Sequence, residues 1–281
     1  MTRCGFVALI GAPNAGKSTL LNALVGAKLA IVSPKVQTTR TRILGILMQG
    51  ETQMLFVDTP GIFTPKRRLD CAMVNAAWTG AQDADVVLLL IDSTERLSRD
   101  AKAIIEKLKE GGRKAIAVLT KIDLADRDKL LPLAQQVNDT GVVTDIFMIS
   151  ATKNDGLDDL KAHLAAALPE GPYLYPEDEL SDQPLRRLAA EVTREQLYLQ
   201  LDQELPYEAT VETELWEEFD NGSVKIAQVI FVERDGQKKI ILGKGGVRIK
   251  EIGSKSRAEL EIMLARRVHL TLFVKVRGAW G

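Results

Sequence analysis

The stretch Gly11-Ala12-Pro13-Asn14-Ala15-Gly16-Lys17-Ser18 limits what this chain can become more than any other. It meets G-x-x-x-x-G-K-[ST] at every fixed position. An apolar run at 6–10 reads as a strand before it, and 19–25, opening on Thr19, reads as the first turns of a helix after it. Strand, glycine loop and helix in that order are the setting in which such a loop cradles phosphates. The glycines let successive N–H groups turn toward one anion, and the helix start adds its dipole and its free N–H groups. Lys17 then reaches the β- and γ-phosphates and the Ser18 hydroxyl holds Mg²⁺. A glycine-rich turn matching by accident is the alternative, and the flanking elements disfavour it.

The loops that follow extend the same site. Residues 30–42 are polar and without period, contain Gln37-Thr38-Thr39-Arg40, and read as an exposed loop. Of its threonines, Thr39 rather than Thr38 is expected to join Ser18 on Mg²⁺. Strands at 43–48 and 53–57, joined near Gly50, lead into Asp58-Thr59-Pro60-Gly61-Ile62. A carboxylate at the C-terminal end of a strand suits a Mg²⁺ site, and Gly61 allows its N–H to approach a γ-phosphate oxygen. No side chain in 61–66 is an obvious general base, so slow intrinsic turnover is expected.

Continuous apolar runs at 86–91, 115–119 and 146–149 read as strands buried on both faces. Helical patterns at 70–82, 99–110, 129–138 and 157–168 alternate with them. The expected fold class is therefore α/β: a doubly wound, mainly parallel sheet with one antiparallel pair early. Thr120-Lys121-Ile122-Asp123 and Ser150-Ala151-Thr152-Lys153 follow its last two strands. Asp123 is suited to accept from guanine N1–H and the 2-amino group, a pair adenine does not offer. The Lys121 stem would lie along the base, and the Ala151 N–H would donate to guanine O6. Each tetrapeptide alone is an ordinary strand-end turn; their order and sheet position favour guanine.

Residues 169–184 are proline-rich and acidic and read as a linker between a domain at 1–168 and a smaller α+β domain at 185–281. A helix is expected at 185–201, and strands at 209–219 and 224–233 around Asn221-Gly222. A turn at Asp235-Gly236 leads to an apolar strand at 238–242, a helix to about 266 and a last strand at 268–276. Charge divides unevenly along the chain. Overall 37 basic residues face 38 acidic ones, yet 224–281 holds 13 Lys/Arg and 5 Asp/Glu. A basic end on an acidic body points to a polyanion partner, or else to a solvated charged face. Cys4 and Cys71 lie outside any metal-ligand spacing and fit reduced thiols of a cytosolic protein. The first residues run straight into a strand, so no secretory leader is expected, and the run at 86–91 is too short to cross a bilayer.

Gly243-Lys244-Gly245-Gly246 beside a basic helix resembles the G-x-x-G loop of a KH domain of type II. In that module the loop clamps a single-stranded nucleic-acid backbone, here with Lys244, Arg248 and Lys250 supplying charge. A glycine loop joined to such a module resembles the Era family of bacterial ribosome-assembly GTPases over nearly the whole chain. The residues that carry the likeness are 11–18 with Pro13-Asn14, Gln37-Thr38-Thr39-Arg40, 58–61, 120–123 and Val232-Glu233-Arg234-Asp235-Gly236-Gln237-Lys238-Lys239.

The resemblance implies hydrolysis of GTP to GDP coupled to binding the 3′ end of small-subunit ribosomal RNA. It also implies association with the 30S subunit or its precursor, a cytoplasmic monomer, and peripheral contact with the cell membrane. Asn14 would help seat a K⁺ ion in place of an arginine finger. The chain departs from the family at Thr120, where most relatives have Asn. Ile62 stands where signalling GTPases place Gln, as is usual for the family. Relatives continue with a polar tail beyond the point where this sequence stops at Ala279-Trp280-Gly281, so RNA contacts from such a tail are expected to be missing. Three competing readings remain: an ATP-using P-loop kinase or ATPase, a non-hydrolysing GTP-gated RNA scaffold, and a C-terminal module that docks protein.

Overall fold

The computed structural model describes residues 1–33, 35, 39, 42–62, 68–201 and 205–278, with the backbone alone at 68–73 and 75–76. Gln37, Thr38 and Arg40, the stretch 63–66 and the terminal Ala279-Trp280-Gly281 therefore lie outside the described residues. The chain divides into two units, Met1–Ala30 with Pro34–Asp182, and Ile31–Ser33 with Gln183–Gly281.

The first unit contains β1 (Arg3–Gly11), α1 (Lys17–Val25), β2 (Ile43–Gln49), β3 (Thr52–Asp58), α2 (Arg68–Asp83) and β4 (Val86–Asp92). It continues with α3 (Arg99–Glu110), β5 (Ala115–Thr120), α4 (Arg127–Asn138), β6 (Val143–Met148) and α5 (Leu157–Ala167). The six strands lie in the order β2-β3-β1-β4-β5-β6, antiparallel only between β2 and β3. Alternate residues explain the two-sided burial. Ala8 and Ile10 of β1, Leu89 and Ile91 of β4, and Ala117 and Leu119 of β5 share one core with Ile104 and Leu108 of α3. Register then fixes the site: Leu9 pairs with Asp58, Gly11 with Leu90 and Asp92 with Thr120, so the strand ends converge at one sheet edge. The chain crosses to opposite sides of β1 there, the place where open α/β sheets bind ligands.

The second unit contains α6 (Leu185–Gln200), α7 (Leu205–Glu208), β7 (Thr210–Glu218), β8 (Val224–Val232), α8 (Asp235–Leu242), α9 (Val247–Leu264) and β9 (Val268–Val276). Its sheet runs β7-β8-β9, antiparallel then parallel. Ile31–Ser33 belongs to this unit, the Val32 N–H donating to Glu195 Oε1 of α6 at 2.9 Å.

One expected element is corrected. Residues 238–242 form the end of helix α8, not an apolar strand. Gln237 is the cause: its Oε1 accepts from the Glu233 and Arg234 N–H groups, both at 2.9 Å, and fixes the helix start. Only Ile241 of that run is buried, as one helix face requires.

Candidate functional site

The loop between β1 and α1 is tightened by a turn, Ala15 N–H to Ala12 O at 3.2 Å, and passes through left-handed backbone at Asn14 (φ 61°) and Gly16 (φ 91°). Gly16 is the N-cap of α1, so Lys17, Ser18 and Thr19 occupy its first turn. Gly61 meets this loop closely. A Cβ there would stand 3.1 Å from Pro13 N and Cα, and the next N–H, of Ile62, donates to Gly11 O at 3.0 Å. Thr59 is held by its hydroxyl on Leu9 O at 2.8 Å, with Pro60 buried beside it. Residues 59–62 thus pack against the end of β1 and the loop that follows it.

Lys17 is buried, and its ammonium donates to Gly11 O at 3.1 Å and Ala12 O at 2.8 Å. Burial lowers its pKa to about 8, with Asp58 pulling the other way. Asp58 is fully buried, and burial pushes its carboxyl up against the opposing pull of Lys17 and two hydroxyls. Those hydroxyls are Ser18 Oγ, donating to Asp58 Oδ2 at 2.7 Å, and Thr39 Oγ1, donating to the same oxygen at 3.2 Å. Ser18 Oγ and Thr39 Oγ1 are themselves 3.0 Å apart. Asp58 Oδ1 is buried with no hydrogen-bond partner among the described residues. Two hydroxyls gathered on one carboxylate make a cluster of hard oxygen ligands, which fits Mg²⁺.

The loops expected to meet the base follow β5 and β6. Asp123 is exposed, its Oδ1 accepting from Ser150 Oγ at 2.7 Å and its Oδ2 from Thr152 Oγ1 at 3.4 Å. The Ser150 bond chiefly keeps its pKa below the usual carboxylate range. Ala151 lies between these two partners, half-buried. The carboxylate is therefore anionic and held in place. Thr120 is tied to the phosphate loop. Its hydroxyl donates to Ala15 O at 2.8 Å and lies 3.2 Å from Ile91 O, tying the phosphate loop to β4 and β5. Lys121 adopts a left-handed backbone (φ 59°), and its ammonium pairs with Asp92 Oδ2 at 2.5 Å.

In the second unit, Gly243 (φ 70°) ends α8, Lys244–Gly246 forms a 3₁₀ turn, and Gly246 (φ 78°) caps α9. A Cβ on Gly245 or Gly246 would meet nothing within 4 Å, so their backbone faces open space. Arg248 donates to Ile240 O at 3.3 Å, and Lys250 lines a groove of about 340 Å³ between α9 and β9. Gly253, Ser254, Arg257, Leu270 and Leu272 line that groove too and were not anticipated. The spacing of Lys250, Gly253, Ser254 and Arg257 along one helical face was the available signal. Asp92 and Ser93, which brace the base loop, carry no motif of their own.

The model of a 50S ribosome-binding GTPase family matches residues 6–121, and that of the KH domain matches residues 204–281. GTPase Era of Afipia carboxidovorans is 60% identical over 280 residues, spanning 100% of this chain and 91% of that protein. The solved structure of Aquifex aeolicus Era bound to GDP·AlF4⁻ superposes with a TM-score of 0.92 at 41% identity, covering 99% of this chain and 95% of the other. Era in complex with MgGDPNP and nucleotides 1506–1542 of 16S ribosomal RNA gives the same score and identity, covering 100% and 95%. With a hydrolase's phosphate loop in one unit and a G-x-x-G helix pair in the other, the chain belongs to the GTPase Era family.

Proposed function

We propose that this GTPase binds Mg·GTP at the ends of β1, β3 and β5, hydrolyses it to GDP, and couples that cycle to holding the 3′ end of 16S ribosomal RNA in small-subunit assembly. One observation carries the nucleotide half: the Ser18 and Thr39 hydroxyls converge on the Asp58 carboxylate beside the phosphate loop. Water attacks the γ-phosphorus in line, the bond to the β–γ bridging oxygen breaks, and GDP and phosphate leave. Lys17 exchanges two loop carbonyls for β- and γ-oxygens, and the Gly61 N–H donates to a γ-oxygen. Ser18, Thr39 and Asp58 would hold Mg²⁺, which would supply positive charge to the triphosphate. Asn14 would help hold a K⁺ ion, which would supply charge in place of an arginine finger.

The guanine is read by Asp123, along Lys121 and under the Ala151 N–H, with Ser150 and Thr152 orienting the carboxylate. Gly243, Lys244, Gly245 and Gly246 clamp the RNA backbone, with Arg248 and Lys250 neutralising phosphates. The state of the bound nucleotide governs the RNA-binding module. We divide the chain at 1–168, 169–184 and 185–281 and take it to act as a cytoplasmic monomer on the 30S subunit or its precursor. Its membrane contact is peripheral; no helix among the described residues is long and apolar enough to cross a bilayer.

Crosslinking the full chain to total cellular RNA with GDPNP or GDP bound tests the coupling. The 16S 3′ end should dominate the GDPNP sample and fade with GDP. Equal capture in both states, or equal turnover of ATP and GTP, refutes the reading.

A further inference from the structure

Asp92 is the last residue of β4 and stands in register with Thr120, the last residue of β5. Its side chain is directed by its own loop: Oδ1 accepts from Thr94 N at 2.9 Å and from Thr94 Oγ1 at 2.6 Å. That turn leaves Oδ2 free to take the Lys121 ammonium at 2.5 Å, in a pair whose side chains are 33% and 22% exposed. Burial of Asp92 works against its charge, yet the bonds from Lys121 and Thr94 outweigh it and keep the carboxyl ionised.

Lys121 needs such support. Left-handed backbone is sparsely populated by non-glycine residues, and at φ 59° the side chain leaves the chain in an unusual direction. The Thr120 peptide just before it is fixed from the same loop, its carbonyl accepting the Ser93 N–H at 3.1 Å and the Ser93 hydroxyl as well. Asp92 also walls a cavity of about 320 Å³ with Pro13, Asn14 and Ala15 of the phosphate loop. Asp92 and Ser93, at the end of β4, thus brace the 120–121 segment from behind.

We propose that Asp92 is a positioning residue for nucleotide retention: it holds the Lys121 stem along the guanine face and sets how slowly GDP leaves. The proposal rests on the guanine reading of the 120–123 loop. Thr94 acts one step further out, by aiming Asp92. Chemistry at the γ-phosphate lies elsewhere, so the effect falls on nucleotide residence and not on turnover at saturation.

Release of fluorescent GDP from the full-length protein tests this, beside kcat at saturating GTP. Asp92→Asn keeps the shape and removes the charge; release should quicken about tenfold with kcat within twofold. Asp92→Glu should recover most of the loss. Thr94→Val, at an exposed position, should quicken release two- to threefold even if Asp92→Asn fails to fold. In a double-mutant cycle, Asp92→Asn added to Lys121→Met should bring no further change. Release within twofold of wild type in Asp92→Asn, multiplying effects in the cycle, or a fall in kcat matching the change in release overturns the proposal. Wild-type protein that holds ADP as firmly as GDP overturns the guanine reading itself. Selective wild type with a silent Asp92 overturns the positioning role alone.

Discussion

Lys17 is where a single residue sets a measurable trend. Its ammonium is buried on two carbonyls and loses its proton near pH 8, well below an ordinary lysine. The phosphate chain needs the cation, so nucleotide affinity should fall as pH rises through 8. The drop is about fourfold between pH 7 and 8.5, because roughly three quarters of the empty sites are neutral at the upper value. Fold stability runs the other way. A lysine with a depressed pKa penalises the fold while charged, and that penalty fades between about pH 8 and the unfolded value of 10.5. GDP titrations and denaturant melts across that range should therefore diverge; parallel curves count against the Lys17 assignment. Lys17, Ser18, Asp58 and Gly61 were legible because phosphate chemistry confines them to fixed spacings. Asp92 was not, since it reaches Lys121 across 29 positions through strand register alone.

Among the elements, α3 was readable to its ends because Ser98 caps it and Ile104, Ile105 and Leu108 face inward at helical spacing. Helix α8 was not readable because five residues of mixed charge and apolarity carry no decisive period, and Gly236 looked like a turn. The capping glutamine, which settles the matter, acts through side-chain bonds that a pattern does not display. Gly243 ends this helix for a reason of space: a Cβ there would come within 2.8 Å of Arg248 Cβ and 3.0 Å of its N, at φ 70°. Gly243→Ala should therefore cost the fold about 1–3 kcal/mol and also weaken binding of single-stranded RNA. Thermal melts and a salt-controlled RNA titration check both. Unchanged melting with normal RNA affinity would show the turn to be more yielding than this geometry allows.

For the molecule as a whole, the stretch read as a linker is fastened down. Gln53 is fully buried; its Nε2 donates to Tyr175 O at 2.7 Å, and its Oε1 accepts from the Leu174 and Tyr175 N–H groups at 2.8 and 3.1 Å. Further along, Ile46 N–H donates to Leu180 O at 2.9 Å and Ser181 Oγ to Leu44 O at 2.6 Å. A proline-rich, acidic run gives no sign of this, because its partners are backbone groups and one glutamine far upstream. Gln53→Leu should leave three main-chain groups without their partner and destabilise the first unit by about 2–3 kcal/mol. Proteolysis after Glu177 and Glu179 should quicken in step; an unchanged cleavage rate would contradict the assignment. Strand β2 is the outermost of its sheet, and Leu180 and Ser181 lie against its free margin. An unguarded margin of that kind recruits other chains. Loosening this strap should thus turn a well-behaved solute into one that self-associates as its concentration rises, long before either unit unravels.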